Sequence, residues 1–492
     1  MRFALTALAL AATILLPAVS PAGAALPVRA AQQQAKPIRK DSPEGSWQGT
    51  LEPPGAGKLV LMFHVRSEKG KLVASLDVPQ QGGKGIPVAG TEFKSGPREV
   101  AFDIAVIAAK FRGKMAADGQ SIAGTFEQSG KSLPLTLRRA SAAETAALAP
   151  KRPQDPKSPF PYRAEEVTFA NPKAKDVKLA GTLTIPPGEG PFPTVVFISG
   201  SGPQDRDETI FGHRPFRVIA DYLARRRVAS LRFDDRGVGK STGKLETATS
   251  ADFADDVRAA VAYLKTRGAV TDPKKIGLIG HSEGGVIAPM VAADAPSDIA
   301  FVVLLAGTGV NGAEVVLSQG AAMARLSGAP ESSIAREQQF QKRVFDAVRS
   351  ESDPRKRREK VDAVIRAQTE GAGKETRQQV EAELKRAVEP ILLPWFRWFL
   401  VHDPAATLAK VKCPVLALTG EKDVQVLPAV NVPPMEAALK NNPNARVEVL
   451  PGLNHLFQTA VTGMPSEYAT IEETFSKDAL ALIGNWIAER TQ

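Results

Sequence analysis

Eight short apolar runs, set between helical stretches from residue 166 to the C-terminus, leave few folds open to this chain. The runs are 166–170, 178–185, 194–199 (TVVFIS), 227–233 (RVASLRF), 275–280 (KIGLIG), 301–306 (FVVLLA), 414–419 (PVLALT) and 446–450 (RVEVL). Several lack the polar alternation of a half-solvated strand, as strands do when helices cover both faces of a parallel sheet. Helical spacing fills 213–225, 250–267, 284–294, 430–440 and 475–490. Ser250 reads as the cap of the second of these, with acidic residues in its first turns. Strand–helix alternation of this kind predicts a doubly wound α/β sheet over 164–492. Residues 309–405 carry helical patterns only, which predicts a helical lid inserted after the sixth strand. Within it, Arg355-Lys356-Arg357-Arg358 is offset by Asp353, Glu359 and Asp362 and reads as a solvated helix face.

The first third follows another period. Over 45–140, short alternating runs such as Leu72–Val78 and Ile122–Phe126 are separated by turns such as Glu68-Lys69-Gly70 and Ala117-Asp118-Gly119. Six to eight strands in that length predict an antiparallel meander, closed or nearly closed as a small barrel. Gly45-Ser46-Trp47 at its first strand resembles a lipocalin opening, and His64 lies mid-strand as a packed or solvated residue. Residues 141–163, with Pro150, Pro153, Pro156, Pro159 and Pro161, form a semi-rigid spacer.

Upstream, Arg2 precedes the apolar run Phe3–Leu16 and the small-residue triplet Ala22-Gly23-Ala24. That is a secretory pattern over 1–24, too short for a membrane span of about 20 residues. It predicts export to the periplasm or beyond, with 25–44 as a disordered lead.

Composition narrows the chemistry. One cysteine excludes an internal disulfide and every multi-cysteine metal pattern, and the five histidines show no metal-ligand spacing. The net charge of +10 belongs to residues before 165, because 165–492 balances. No nucleic-acid motif or base-stacking set accompanies it, so at most loose contact with an anionic surface is expected.

Gly280-His281-Ser282-Glu283-Gly284 follows one apolar strand and opens a helical run. This strand–turn–helix context is that of a nucleophile elbow, with a serine presented at a helix N-terminus. A serine needs a neighbouring base. His455, in the loop after the last strand, is the histidine that topology allows. His402 precedes the seventh strand, and His213 reads as structural. Asp423, at the turn after 414–419, is the acid that orients it, ahead of Glu421. The Glu283 amide and the Ser201 amide, in Ser199-Gly200-Ser201-Gly202-Pro203, are the expected oxyanion donors. No Gly-Lys-Ser/Thr follows that glycine loop, which argues against a nucleotide.

With Ser199–Asp205, Phe233-Asp234-Asp235-Arg236-Gly237-Val238-Gly239-Lys240-Ser241, Gly280–Gly285 and Leu453-Asn454-His455 in hand, residues 162–490 resemble a bacterial α/β-hydrolase. The similar group comprises esterases, dienelactone hydrolase-like enzymes and S33 aminopeptidase-like enzymes. The glycine loop departs from the His-Gly pattern common in that superfamily. Asp234–Gly237 reads as a charged turn bracing the fourth strand. The resemblance implies a serine hydrolase without metal or cofactor, acting on small to medium acyl esters through an acyl-enzyme. An aminopeptidase or an amide or thioester hydrolase is the enzyme alternative, and a catalytically silent surface-binding protein the alternative from another class. Trp395 and Trp398, in the aromatic run 395–399, are expected to wall the substrate pocket.

Overall fold

A computed structural model describes residues 40–52, 58–79, 83–128, 130–141, 143–145, 151–371 and 373–491. The leader expected over 1–24 and the lead over 25–44, apart from 40–44, lie outside the described residues. The chain divides into two compact units.

The first unit is a meander of β1 (Gly45–Leu51), β2 (Leu59–Glu68), β3 (Lys71–Val78), β4 (Gly83–Val88), β5 (Gly90–Lys94), β6 (Glu99–Ile104), β7 (Ala109–Met115), β8 (Ser121–Gln128) and β9 (Lys131–Ala140). Its order is β4-β3-β2-β1-β9-β8-β7-β6-β5, antiparallel throughout. Pairing of β1 with β9 rolls the sheet up, and β4 and β5 leave one seam open. Alternate side chains point inward, as in β6, and the middle is filled by Trp47, Phe63, Phe102 and Phe111. Phe102 stacks on Phe63 at 4.6 Å and on Phe111 at 5.8 Å between centroids. The interior is therefore a packed core. Nine strands stand where the alternation predicts six to eight, because β4 (GKGIPV) and β5 (GTEFK) are short and carry glycine or proline.

The second unit holds β10 (Arg163–Ala170), β11 (Lys178–Ile185), β12 (Phe192–Ile198), β13 (Ala229–Phe233), β14 (Thr271–His281), β15 (Phe301–Leu305), β16 (Val415–Gly420) and β17 (Ala445–Leu450). They form one sheet in the order β10-β11-β13-β12-β14-β15-β16-β17. The pairs at the β10 end are antiparallel and the rest parallel. β13, β15 and β16 are buried along their whole length; β15 (FVVLL) is apolar throughout, while β13 buries Ser230 and Arg232 and β16 buries Thr419. Helices α1 (Pro215–Ala224), α2 (Ser250–Lys265) and α3 (Gly284–Asp294) follow β12, β13 and β14. The residue capping α2 is Thr249, not Ser250. Thr249 and Asp252 form a reciprocal capping box, which leaves the Ser250 hydroxyl free for another acceptor.

Between β15 and β16 run α4 (Gly312–Leu326), α5 (Glu331–Arg349), α6 (Pro354–Gln368), α7 (Lys374–Val388), α8 (Pro394–Val401) and α9 (Pro404–Leu408). They enclose a core of their own that includes Phe340, Phe345, Ile365, Leu384 and Phe396. The basic start of α6 is capped by Asp353, and Arg358 pairs with Glu389 at 2.6 Å. Arg357 is the exception on that face, being buried. Last come α10 (Pro428–Leu439) after β16 and α11 (Lys477–Thr491) at the end of the described chain. Among the described residues, no helix is long and apolar enough to cross a membrane.

Candidate active site

Ser282 stands between β14 and α3 with φ 53°, a left-handed conformation that costs a non-glycine residue about 1–2 kcal/mol. The glycines around it leave no alternative. A Cβ on Gly280 would lie 2.0 Å from the Gly284 carbonyl oxygen, and one on Gly284 would lie 2.1 Å from that of Ile198. The turn is pinned to the next strand, since the Ser282 N–H donates to the Leu305 carbonyl at 2.8 Å.

His455 and Asp423 meet across 32 residues of sequence. The His455 Nδ1–H donates to Asp423 Oδ2 at 2.8 Å. Asp423 Oδ1 accepts the amides of Gln425 and Val426, each at 2.8 Å, so the carboxylate is fixed on both oxygens. A proton on Nδ1 leaves Nε2 with its lone pair, and His455 lines the same pocket as Ser282. The His455 loop is shaped by buried Asn454, whose Oδ1 accepts the amides of Leu456 and Gln458. His213 supports that loop from behind through Gln458 and Thr474. His402 stacks under Trp398 at 4.3 Å and lines a separate surface pocket. Glu421 is exposed and accepts the Gly452 amide.

Three carboxyl groups, the buried Glu208 and Glu283 and the partly buried Asp235, moor the glycine loop 199–204. Ser199 Oγ and the Gln204 amide donate to Asp235, at 2.7 and 3.0 Å. The Gly200 amide donates to Glu208 Oε1 at 2.7 Å, and the Ser201 hydroxyl bonds to Glu283. Burial pushes the Asp235 carboxyl well above its ordinary range; the Ser199 and Gln204 hydrogen bonds oppose that, and the charge of Glu283 adds to it. Burial likewise raises Glu283, against hydrogen bonds from Ser250, Trp395 and Ser201. Asp234 braces the neighbouring turn through Arg206 at 2.9 Å, and Arg236 pairs with Asp256 at 2.7 Å, as a charged turn should.

Two residues of this site escape a reading of the sequence. His281 Nδ1 donates to Glu208 Oε1 at 2.8 Å, and its Nε2 donates to the His455 carbonyl at 3.0 Å. Two acceptors on two ring nitrogens require the doubly protonated imidazole. Burial works against that charge, but Glu208 outweighs it and holds the His281 pKa above its usual value. Glu208 is itself only 3 % exposed. The signal available was a histidine flanking the nucleophile and an acid four residues beyond Gln204, with nothing local to join them.

The pocket is lined by Ser201, Ser282, Thr308, Gln319, Phe399 and His455, among others. Its volume is ≈ 90 Å³, well above the roughly 10–15 Å³ at which a cavity first admits one water. The expectation for the tryptophans is revised. Neither lines this pocket, and Phe399 does. Helical rotation splits the aromatic run of α8: Phe396 and Leu400 turn into the core of the insertion, and Trp398 turns toward His402. Trp395 stacks on Phe399 at 5.2 Å and gives its Nε1–H to Glu283 Oε1 at 2.7 Å. Ser250 Oγ donates to the same oxygen at 2.6 Å. Glu283 thus links the elbow, the glycine loop, α2 and the helical insertion.

A second Ser–His–Asp alignment occurs in the first unit, where Ser46 Oγ and Asp77 flank His64 at 3.0 Å each. Its serine is paired within a strand, directly opposite His64, and has no helix N-terminus behind it. It is a cross-strand ladder. Among the described residues, no group of three or more His, Cys, Asp or Glu side chains is placed to hold a metal ion.

Residues 195–470 match the model of the alpha/beta hydrolase family. The esterase EstD of Thermotoga maritima is 35 % identical over 120 residues, which take in 24 % of this chain and 28 % of EstD's own length. An esterase of Pyrococcus furiosus shares 17 % identity at a TM-score of 0.43, covering 70 % of this chain and 98 % of its own. A dienelactone hydrolase of Anabaena variabilis shares 17 % at a TM-score of 0.37, covering 68 % and 100 %.

Proposed function

Because the chain belongs to the alpha/beta hydrolase family, we propose that it is a serine hydrolase cleaving carboxylic esters of small to medium acyl groups. The observation that carries this reading is the meeting in one pocket of a left-handed Ser282 and a His455 whose Nδ1 is held by Asp423.

In the proposed reaction, Ser282 Oγ attacks the ester carbonyl carbon while His455 Nε2 takes its proton. Asp423 keeps the imidazole in the acceptor tautomer and stabilises the imidazolium without taking a proton itself. The carbonyl oxygen becomes an oxyanion facing the amides of Glu283 and Ser201. Neither amide donates to another group among the described residues. Mooring the Ser201 hydroxyl on Glu283 holds that loop still, so the donors need no reorganisation as charge develops. Collapse breaks the bond to the alkoxide, which leaves with the His455 proton. Water then attacks the acyl-serine by the same route and restores Ser282. The pocket volume and the walls Ile210, Val315, Phe399, Val426 and Leu456 favour a short apolar acyl group.

Ser282→Ala, His455→Ala and Asp423→Asn should each remove most ester turnover while the melting transition stays in place. Asp423→Asn should lose about 10⁴-fold through the wrong tautomer. Double variants should lose little more than the worst single one, because the three act as a unit. Losses that multiply in the double variants, or no labelling of Ser282 by a fluorophosphonate, would overturn the assignment.

A further inference from the structure

The proposed reaction leaves two buried titratable side chains beside the nucleophile without a task. Glu208 and His281 are 4 % and 9 % exposed at the side chain. A buried ion pair is often no more stabilising than apolar side chains packed in its place, because both charges forfeit their hydration. Stability alone therefore does not explain a charged pair at this position.

What the pair joins is more telling. Glu208 Oε1 accepts two hydrogen bonds, from the Gly200 amide at 2.7 Å and from His281 Nδ1 at 2.8 Å. His281 Nε2 in turn donates to the His455 carbonyl at 3.0 Å. One unbroken chain of hydrogen bonds thus runs from the glycine loop, through the residue before the nucleophile, to the main chain of the base. The segments meet closely. A Cβ built on Gly200 would lie 3.1 Å from Glu208 Oε1, 3.2 Å from Ser282 Cβ and 3.5 Å from His281 Nδ1. Both members of the pair are rigidly mounted. His281 closes β14 and stands in register with Leu305 of β15. Glu208 holds a left-handed φ of 51°, in a turn where Asp205 Oδ1 accepts the amides of Asp207 and Thr209 and the Asp205 carbonyl accepts that of Glu208. Backbone strain of that kind persists where the surroundings over-determine it.

We propose that Glu208 and His281 are positioning residues, a brace that sets the His455 main chain and the oxyanion loop at fixed distances from Ser282. This rests on the hydrolase reading above. Asp423 orients the His455 ring through Nδ1, but a correctly oriented ring can still stand too far from the serine. His281 supplies the second restraint, at the His455 carbonyl. Through Glu208 the same brace reaches the Gly200 amide, next to the Ser201 oxyanion donor. The pair exchanges no proton with the substrate. Its effect is on geometry, where a displacement of about 1 Å can cost about 10²-fold in rate.

The test follows hydrolysis of ethyl butyrate by the full chain, with active serines counted by fluorophosphonate labelling carried to completion. Rates per labelled serine let a partly unfolded variant still report. Glu208→Gln/His281→Phe removes the donor to His455, keeps a ring and an acceptor for the Gly200 amide, and leaves no charge buried alone. Its kcat per labelled serine should fall about 10²-fold while KM stays within about threefold, as when an interaction is lost from the transition state. His281→Gln, which keeps N–H donors, should fall less. A pair that only stabilises the fold would lower the number of labelled serines and leave kcat per serine unchanged. That result, or a loss confined to KM, would overturn the brace. His281→Gln falling as far as the double variant would overturn it too, since the retained donors would then count for nothing. A parent that neither labels nor turns over ester would strike the hydrolase reading itself.

Discussion

Replacing Glu208 by Gln tests whether the buried cation beside the nucleophile matters. Glu208 and His281 have side chains 4 % and 9 % exposed, so solvent screens their pairing little. Removing one member of a buried, hydrogen-bonded ion pair costs about 3–5 kcal/mol. Glutamine keeps an acceptor for the Gly200 amide, which puts the expected loss near the lower end, about 3 kcal/mol. Its pH dependence is the sharper signature. The folded state holds the His281 pKa above its ordinary value, through Glu208 against the cost of burial. Stability from that proton is complete below the unfolded histidine's value of about 6.5 and fades as pH rises through the raised value. Across that window the gap between parent and variant should narrow, by up to about 1.4 kcal/mol per pH unit for one proton. Urea unfolding followed by tryptophan fluorescence, at half-unit steps from pH 6 to pH 10, measures it. Turnover should fall as well, since His281 also donates to the His455 carbonyl. A gap that is constant or widens with pH would refute the argument.

Trp395→Phe removes a hydrogen bond from the Glu283 carboxylate. Burial already raises that carboxyl, so its own contribution to stability is complete below the ordinary carboxyl range and is lost as pH climbs through the raised value. The lost donor favoured the ionised form, so the variant's deficit, about 1–3 kcal/mol, should be larger at pH 8 than at pH 4 by thermal unfolding. An equal deficit at both would exclude the carboxylate as the partner that matters. In the first unit, Phe111→Ala empties a site beside the stacked Phe63 and Phe102 and should cost about 3–5 kcal/mol. Calorimetry would show this as a lowered transition while ester turnover at 25 °C persists; loss of turnover would show that the site depends on the barrel core.

The sheet was legible because its central strands carry mostly apolar runs, and all eight runs read from the sequence fall on β10–β17. The Ser282 turn was legible because its glycines are demanded by contacts near 2 Å, which no side chain can meet. His455 with Asp423 followed from topology and the scarcity of histidine. Glu208 with His281 did not, because the pair is joined across 73 residues by burial alone. Helical rotation hid the roles within α8. A count of aromatics cannot tell that the indole of Trp395 ends on a carboxylate while Phe399 faces the pocket. The cap of α2 was misplaced by one residue because Thr249 and Ser250 are both good caps, and only the demand of Glu283 for the Ser250 hydroxyl separates them.

The helical insertion lies between two strands that are neighbours in the sheet, β15 and β16, which pair in parallel register from Val302–Val415 to Leu305–Leu418. Lengthening a connection costs only about 0.6 kcal/mol per doubling, and this connection carries its own core. The sheet therefore constrains little of it beyond the two ends. Of the residues lining the pocket, Thr308 stands at the strand end and Gln319 on the insertion. A lineage could exchange the inserted helices wholesale, by recombination at those ends, and obtain a new specificity in one event. Ser282, Asp423 and His455, all outside the exchanged piece, would be inherited untouched.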